Sequence, residues 1–144
     1  MRRILCVDDH VDSCELVKYV LGSFRPDLCV DAADSSERAI ELISREAYDL
    51  YLLDLWMPGI DGADLCRWIK DSGSTSPVIF VSGAVTQADK ANARRAGGSD
   101  FLGKPFDPDD LIRIVDTHLP VLVAEQPEAK WRQFGNPCLA KLAA

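Results

Sequence analysis

The stretch LYLLDLWMPG, residues 50–59, decides the fold. Its first four residues are apolar, a pattern typical of a strand that is buried on both faces within a parallel sheet. The run ends in Asp54, and open α/β sheets bind their ligands at the carboxyl ends of such strands. The sequence therefore predicts a central parallel strand that carries an acidic side chain into a ligand site.

Polar residues follow four apolar runs of the chain, including residues 50–53. They are Asp8 and Asp9 after residues 4–7, Asp54 after 50–53, Ser82 after 78–81, and Lys104 one residue beyond a short run at 101–102 and Gly103. If these strands are parallel and adjacent, their carboxyl ends meet at one edge of the sheet. The pattern therefore predicts one pocket that holds three carboxylates, a hydroxyl and an amine.

Helical patterns separate the apolar runs. Apolar residues recur at helical spacing in residues 11–24, 39–47, 65–69 and 111–115, and a further apolar run lies at 28–32. Two start signals agree with this division: Thr86 precedes Asp89 by three residues, and Asp107 precedes Pro108. Strand and helix alternate five times, which predicts an α/β fold, a doubly wound five-stranded parallel sheet flanked by helices on both faces.

The helix predicted over residues 86–96 has only alanines as apolar residues. A methyl group contributes much less to stability than a large buried side chain, which contributes about 1.5–3 kcal/mol. Two interpretations remain open. The segment is either a weakly anchored helix that is free to shift, or a surface helix of good intrinsic propensity that does not move.

Composition limits the classes of function. A chain of 144 residues with 47% hydrophobic and 27% charged content is typical of one globular domain. The net charge of −7 and the lack of a basic patch argue against direct nucleic-acid binding. The five cysteines lack metal-type spacing and are interpreted as small hydrophobic residues in a reducing compartment. No signal peptide or membrane-length apolar stretch is present, so we expect a cytoplasmic protein without membrane contact.

The apolar pattern ends near Leu119. We therefore expect a folded domain over residues 1–119 and a C-terminal tail over residues 120–144. Trp131 and Phe134 give the tail two aromatic residues, and it is either docked on the domain or disordered. The last four residues, Lys-Leu-Ala-Ala, resemble the start of a common expression-vector linker.

Together these motifs resemble the receiver domain of response regulators in two-component signal transduction, in its single-domain, chemotaxis-regulator-like form. The matching segments are residues 7–9, 54–62, 81–84 and 96–106. The resemblance extends over residues 1–119. It implies the flavodoxin-like receiver fold and a phosphorelay function. The start at Met1, two residues before the first strand, favours a free-standing regulator.

The resemblance also implies a role for each polar residue of the pocket. Asp54 would be the phosphoacceptor and a Mg²⁺ ligand, with Asp9 and the backbone carbonyl of Trp56 as further ligands and Asp8 near the metal, directly or through water. Ser82 and Lys104 would bind the phosphoryl group. Ser82 and Phe101 would form the conformational switch. Phe101 has a simpler alternative interpretation as a core aromatic residue. Two physical arguments support a Mg²⁺ site. Crowded carboxylates repel each other unless a cation is present, and a hard dication prefers oxygen ligands.

The expected function is Mg²⁺-dependent acceptance of a phosphoryl group from a histidine kinase or a phosphotransfer protein. A downstream protein target would read the signal, and a homodimer through the fourth and fifth helices remains open. Phosphoryl acceptance and self-dephosphorylation would be autocatalytic, so the chain is not a conventional enzyme. The alternative is a phosphorylation-independent interaction module on the same fold. A small-molecule phosphatase is disfavoured, because Trp56 occupies the place where such enzymes commonly carry a second acid.

Overall fold

The computed structural model describes residues 1–121, which form one five-stranded sheet in the order β2-β1-β3-β4-β5. All four strand pairings are parallel. The strands are β1 (Arg2–Val7), β2 (Leu28–Ala33), β3 (Leu50–Leu53), β4 (Val78–Ser82) and β5 (Asp100–Gly103). The helices are α1 (Val11–Phe24), α2 (Ser36–Arg45), α3 (Gly62–Asp71), α4 (Gln87–Arg95) and α5 (Pro108–His118). The predicted fold class is confirmed, whereas the predictions for Trp131, Phe134 and the last four residues fall outside the described range.

The sheet is buried on both faces because successive residues of a strand point to opposite sides. On one face, Leu5, Val7 and Phe80 belong to a core that includes residues of α2, α3 and α4. On the other face, Ile4 and Ile79 belong to a core that includes residues of α1 and α5. The doubly wound arrangement therefore gives the domain two hydrophobic cores that share one sheet.

The helices differ greatly in how much they bury. Helix α1 buries Cys14, Val17, Val20 and Leu21, whereas α4 buries only Ala93. A fully buried large apolar side chain contributes about 1.5–3 kcal/mol, so α1 is held far more firmly than α4. Val11 and Phe24, the first and last residues of the predicted apolar pattern, are 60% and 63% exposed because they occupy the two ends of α1.

The predicted start signals behave differently in the structure. Thr86 accepts a hydrogen bond from the backbone N–H of Asp89, and the Asp89 carboxylate accepts one from the backbone N–H of Thr86. This reciprocal pair is a complete capping box at the start of α4. Asp107 is the N-cap of α5, followed by Pro108 at the first helical position, but its side chain makes no capping hydrogen bond.

A buried arginine joins three elements at the amino-terminal end of the sheet. The Arg25 side chain is only 3% exposed and makes two hydrogen bonds of 2.8 Å to the carboxylate oxygens of Asp27. Its guanidinium also pairs with Asp116 and donates to the backbone carbonyl of Leu119 at 3.0 Å. The network therefore connects the end of α1, the start of β2 and the end of α5.

Two smaller expectations concern the cysteines and membranes. Cys6, Cys14 and Cys66 are buried, Cys29 is half-buried, and all four are free thiols. Their burial agrees with the interpretation of cysteine as a small hydrophobic residue.

Within residues 1–121, none of the helices combines the length and the apolar character that crossing a bilayer requires.

Candidate functional site

Backbone hydrogen bonds bring the polar strand ends side by side. The N–H of Asp54 donates to the carbonyl of Val7 at 2.9 Å, which extends the pairing of β3 with β1. The N–H of Lys104 donates to the carbonyl of Ser82 at 3.0 Å, which extends the pairing of β5 with β4. Because β1, β3, β4 and β5 are consecutive in the sheet, the polar residues after them lie along one edge.

Asp54 is buried at this edge, with 6% of its surface exposed. The Ser82 hydroxyl donates a hydrogen bond of 2.8 Å to Asp54 Oδ1, and the Trp56 backbone N–H approaches the same oxygen at 3.3 Å. Burial raises the pKa of Asp54 and the nearby Asp8 charge adds to this rise, while the Ser82 hydrogen bond opposes it. One carboxylate oxygen is therefore held by protein donors, and Oδ2 receives neither of these bonds.

Lys104 supplies the positive charge of the site. Its ammonium group donates a short hydrogen bond to Asp8 Oδ2, and its Nζ lies 3.7 Å from Asp54 Oδ2. Burial disfavours the charged form of both partners, but other contacts outweigh it. The Asp8 hydrogen bond and the Asp54 charge raise the pKa of Lys104, and the Lys104 hydrogen bond and the His10 backbone N–H lower the pKa of Asp8. The Lys104–Pro105 peptide bond that follows is cis.

Three carboxylates and an imidazole form a compact cluster. Asp8, Asp9, His10 and Asp54 each offer one ligand atom, and these atoms lie within 4.8 Å of one another. Asp9 Oδ1 is buried and has no hydrogen-bond partner among the described residues. A buried carboxylate oxygen without a donor is costly, and a hard cation with oxygen ligands would satisfy it. The residues present therefore fit a divalent metal such as Mg²⁺.

His10 is a member of the cluster that the sequence analysis did not single out. It follows Asp8 and Asp9 directly and is the N-cap residue of α1. An imidazole next to an acidic pair is a sequence signal for metal ligation, because histidine is a common metal ligand. The missed signal was therefore visible in the sequence as the tripeptide Asp-Asp-His.

Two further predicted site residues, Trp56 and Phe101, are not members of the acid cluster. Trp56 is 50% exposed, and its backbone carbonyl remains a predicted metal ligand. Phe101 is half-buried and stacks on Phe80 with a centroid separation of 6.4 Å. A cavity of about 100 Å³ adjoins both rings, and Lys90 Nζ lies 5.7 Å from the Phe101 centroid. The ring therefore has both a stacking partner and adjacent space.

The family of the chain follows from this fold and a sequence-family match. The model of the response regulator receiver domain matches residues 4–116, more than three quarters of the chain. The chain belongs to the response regulator receiver domain family. Receiver domains are typically non-enzymatic signalling modules that bind Mg²⁺ at an acidic pocket and interact with histidine kinases and downstream effectors.

Known relatives agree with the assignment to receiver domains. The transcriptional regulatory protein ResD of Bacillus subtilis is 34% identical over 110 residues, which is 76% of this chain and 45% of ResD. An uncharacterized 14.6 kDa protein of Leptolyngbya boryana is 33% identical over 117 residues, 80% of this chain and 88% of that protein. The chain spans about half the length of several transcriptional regulators that it matches.

Solved structures of response regulators share the fold of this chain. A two-component response regulator from Clostridium difficile superimposes with a TM-score of 0.78 and is 28% identical. The match covers 86% of this chain and all of that one. The likeness extends over most of the chain, in agreement with the family match.

Proposed function

We propose that this receiver domain accepts a phosphoryl group on Asp54 from a phosphohistidine donor and signals through protein contacts. The observation that carries the proposal is the surroundings of Asp54. Its carboxylate accepts a hydrogen bond from Ser82, faces Lys104, and belongs to the cluster with Asp8 and Asp9. A nucleophile, a cationic partner and a metal-type acid cluster are the parts that phosphoryl transfer requires.

Asp54 Oδ2 is the oxygen available for attack, because Ser82 and Trp56 direct their hydrogen bonds to Oδ1. In the transfer, Oδ2 forms a bond to phosphorus while the phosphorus–nitrogen bond of the donor histidine breaks. The electron pair of that bond stays on the imidazole nitrogen. A carboxylate that is already ionised needs no general base, so the chain requires no further proton acceptor at this step.

The charge of the transferred group is matched by the chain on two sides. Lys104, 3.7 Å from Asp54 Oδ2, would pair with a phosphoryl oxygen. The Ser82 hydroxyl would donate to another oxygen after leaving Asp54 Oδ1. When bound by Asp9, Asp54, the Trp56 carbonyl and, directly or through water, Asp8, Mg²⁺ supplies further charge neutralisation. The donor is a histidine kinase or a phosphotransfer protein.

The conformational response would begin at Ser82 and reach Phe101. Movement of the Ser82 hydroxyl toward the phosphoryl group displaces the loop that leads from β4 to α4, and Ala84 in that loop has a left-handed φ of 46°. Helix α4 buries only Ala93, so it offers little resistance to a shift. The cavity of about 100 Å³ beside Phe101 gives the ring room to change position. A downstream protein would read this surface.

Phosphorylation is tested by incubating the full chain with Mg²⁺ and acetyl phosphate and resolving the products by phosphate-affinity electrophoresis. We expect a slower-migrating band for the wild type and its loss in Asp54→Asn. Asp71→Asn, which changes an exposed aspartate at the end of α3, is the matched control and should keep the band. A wild-type protein that is folded and never shifts would reject the proposal.

The phosphorylation-independent interaction module is the competing function. It predicts the same partner binding with and without acetyl phosphate, and equal binding by Asp54→Asn. We expect instead that partner binding depends on phosphorylation. The intact set of acids, hydroxyl and lysine favours the phosphorylated form, because a module without the chemistry has no need for mutually repelling carboxylates.

A further inference from the structure

His10 places a nitrogen ligand beside the acid cluster. Its Nδ1 lies 3.3 Å from Asp8 Oδ1 and 3.2 Å from Asp9 Oδ1. The imidazole is 75% exposed, and it makes no capping hydrogen bond to α1 although it is the N-cap residue. The structure of α1 therefore does not depend on the ring, whose Nδ1 faces two carboxylates.

A second observation at this place points to a cation. Asp9 Oδ1 is buried without a hydrogen-bond partner among residues 1–121. By contrast, Asp8 has both oxygens engaged, one by Lys104 and the other by the backbone N–H of His10 at 2.8 Å. His10 Nδ1 hydrogen-bonds to Asp8 Oδ1 and lies 3.2 Å from Asp9 Oδ1, so the imidazole nitrogen and the Asp9 oxygen are neighbouring ligand atoms of one cluster.

The chemistry of this ligand set differs from that of an all-oxygen site. Mg²⁺ prefers oxygen ligands and gains little from imidazole. Imidazole nitrogen suits Co²⁺, Ni²⁺ and Zn²⁺, which already exceed earlier divalent metals of the first transition row in general affinity. A histidine added to two or three carboxylates therefore strengthens binding of these metals selectively.

We propose that His10 is a metal ligand that gives this site selective affinity for transition-metal dications. Such a cation would compete with Mg²⁺ for the cluster, so its availability would regulate phosphoryl acceptance. The inference rests on the metal site of the proposed function. It adds a ligand, a class of competing ion and a form of regulation to that site.

Direct metal binding tests the inference without relying on activity. The full chain, as wild type and as His10→Ala, is titrated by calorimetry with Co²⁺ and, separately, with Mg²⁺. We expect His10→Ala to weaken Co²⁺ binding by at least about tenfold, the lower end of the loss seen even for groups that only support a ligand. Mg²⁺ binding should be unchanged. Because the His10 ring is exposed and caps nothing, the variant should fold, which circular dichroism checks.

Two control variants separate ligation from other effects. His118→Ala removes the other histidine of the chain, which lies at the end of α5 and bonds to Asp100 of β5. This variant should leave both affinities unchanged. Asp9→Asn removes one carboxylate of the cluster and should weaken binding of both metals. The absorption spectrum of bound Co²⁺ identifies thiolate ligation by an intense near-ultraviolet band, which we expect to be absent.

Equal Co²⁺ affinity in wild type and His10→Ala would overturn the inference, as would an equal loss of Mg²⁺ affinity or a thiolate band. If Asp9→Asn still weakens Mg²⁺ binding in that case, the Mg²⁺ site of the proposed function stands and only the role of His10 fails. If the wild type binds neither metal, the metal dependence of the proposed function fails together with it.

Discussion

Lys104 directs its hydrogen bond to Asp8, while its ammonium nitrogen lies 3.7 Å from Asp54 Oδ2. The lysine thus neutralises one acid of the cluster before any metal arrives. A dication that binds there experiences repulsion from the ammonium group. We therefore expect Lys104 to oppose metal binding in the resting domain and to favour the phosphoryl group during transfer.

Replacement of Lys104 by methionine should separate these two effects. We expect Lys104→Met to bind Mg²⁺ more tightly, because the competing cation is gone. Its rate of phosphorylation by acetyl phosphate at saturating Mg²⁺ should fall by about 10²-fold, as for loss of one stabilising group at a reacting centre. Calorimetry and phosphate-affinity electrophoresis measure the two quantities. Lys90→Met on α4 is the control, and weaker Mg²⁺ binding in Lys104→Met would contradict the expectation.

Trp56 is expected to protect the phosphorylated state. The side chain lies two residues beyond Asp54 and is half exposed, so it can cover the acyl phosphate. We expect Trp56→Asn to shorten the phosphoryl half-life severalfold, because water then reaches the phosphorus more easily. The half-life is measured after removal of acetyl phosphate, with Trp68→Phe as the matched tryptophan control. An unchanged or longer half-life would show that the indole does not shield the group.

Acid stability should depend on Asp27. The Arg25 guanidinium lowers its pKa from 3.8 to about 2. The folded carboxyl thus holds its proton less tightly than the unfolded one, so the stabilisation is present above pH 3.8 and is lost as the pH falls through 2. Asp27 is more than a third exposed, so we expect Asp27→Asn to lower the free energy of unfolding at neutral pH by only about 1 kcal/mol.

Urea unfolding across the acid range measures this dependence. The difference between wild type and Asp27→Asn should be constant at neutral pH, should shrink below pH 3.8 and should vanish as the pH falls through 2. Glu41→Gln, which removes an exposed ion pair with Arg38, should change stability little at any pH. A difference that persists unchanged below pH 2 would refute the electrostatic explanation.

Gly62 is expected to be intolerant of any side chain. A Cβ atom at this position would lie 2.1 Å from the backbone carbonyl oxygen of Asp54, which cannot move without displacing the acceptor. We expect Gly62→Ala to lower the free energy of unfolding by about 2 kcal/mol or more. Gly22→Ala in α1 meets no atom within 4 Å and should raise stability by about 0.5–1 kcal/mol. Thermal unfolding of both variants gives the comparison, and a neutral Gly62→Ala would count against a rigid contact here.

The sequence predicted the fold well because its signals are local and strong. Continuous apolar runs such as residues 50–53 correspond to buried strands, and the Thr86–Asp89 capping box marks the start of α4. Val11 and Phe24 belong to the helically spaced apolar pattern but are exposed at the two ends of α1, because periodicity alone does not say which members of a pattern reach the core. The sequence pattern therefore predicts the presence of helices and strands better than it predicts which residues at their ends are buried.

The sequence predicted the strand-end residues of the site, but not which of their side chains contact each other. Strand-end position placed Asp8, Asp54 and Lys104 at one edge, because parallel strands share their carboxyl end. Which carboxylate receives the lysine depends on side-chain geometry, which no spacing rule contains. His10 was not predicted because it lies beyond the acidic strand end, at the N-cap of α1, where the strand-end pattern no longer applies. The roles of these residues remain predictions that the experiments above test.

Helix α4 contributes a single alanine, Ala93, to the hydrophobic core. The exposed side chains of Gln87–Arg95 therefore contribute little to the stability of the fold. We expect that its outward residues can be exchanged in groups at little cost in stability, provided that Ala93 and the Thr86–Asp89 capping box are kept. Among the described helices, this one is the most suitable site for engineering a new binding specificity.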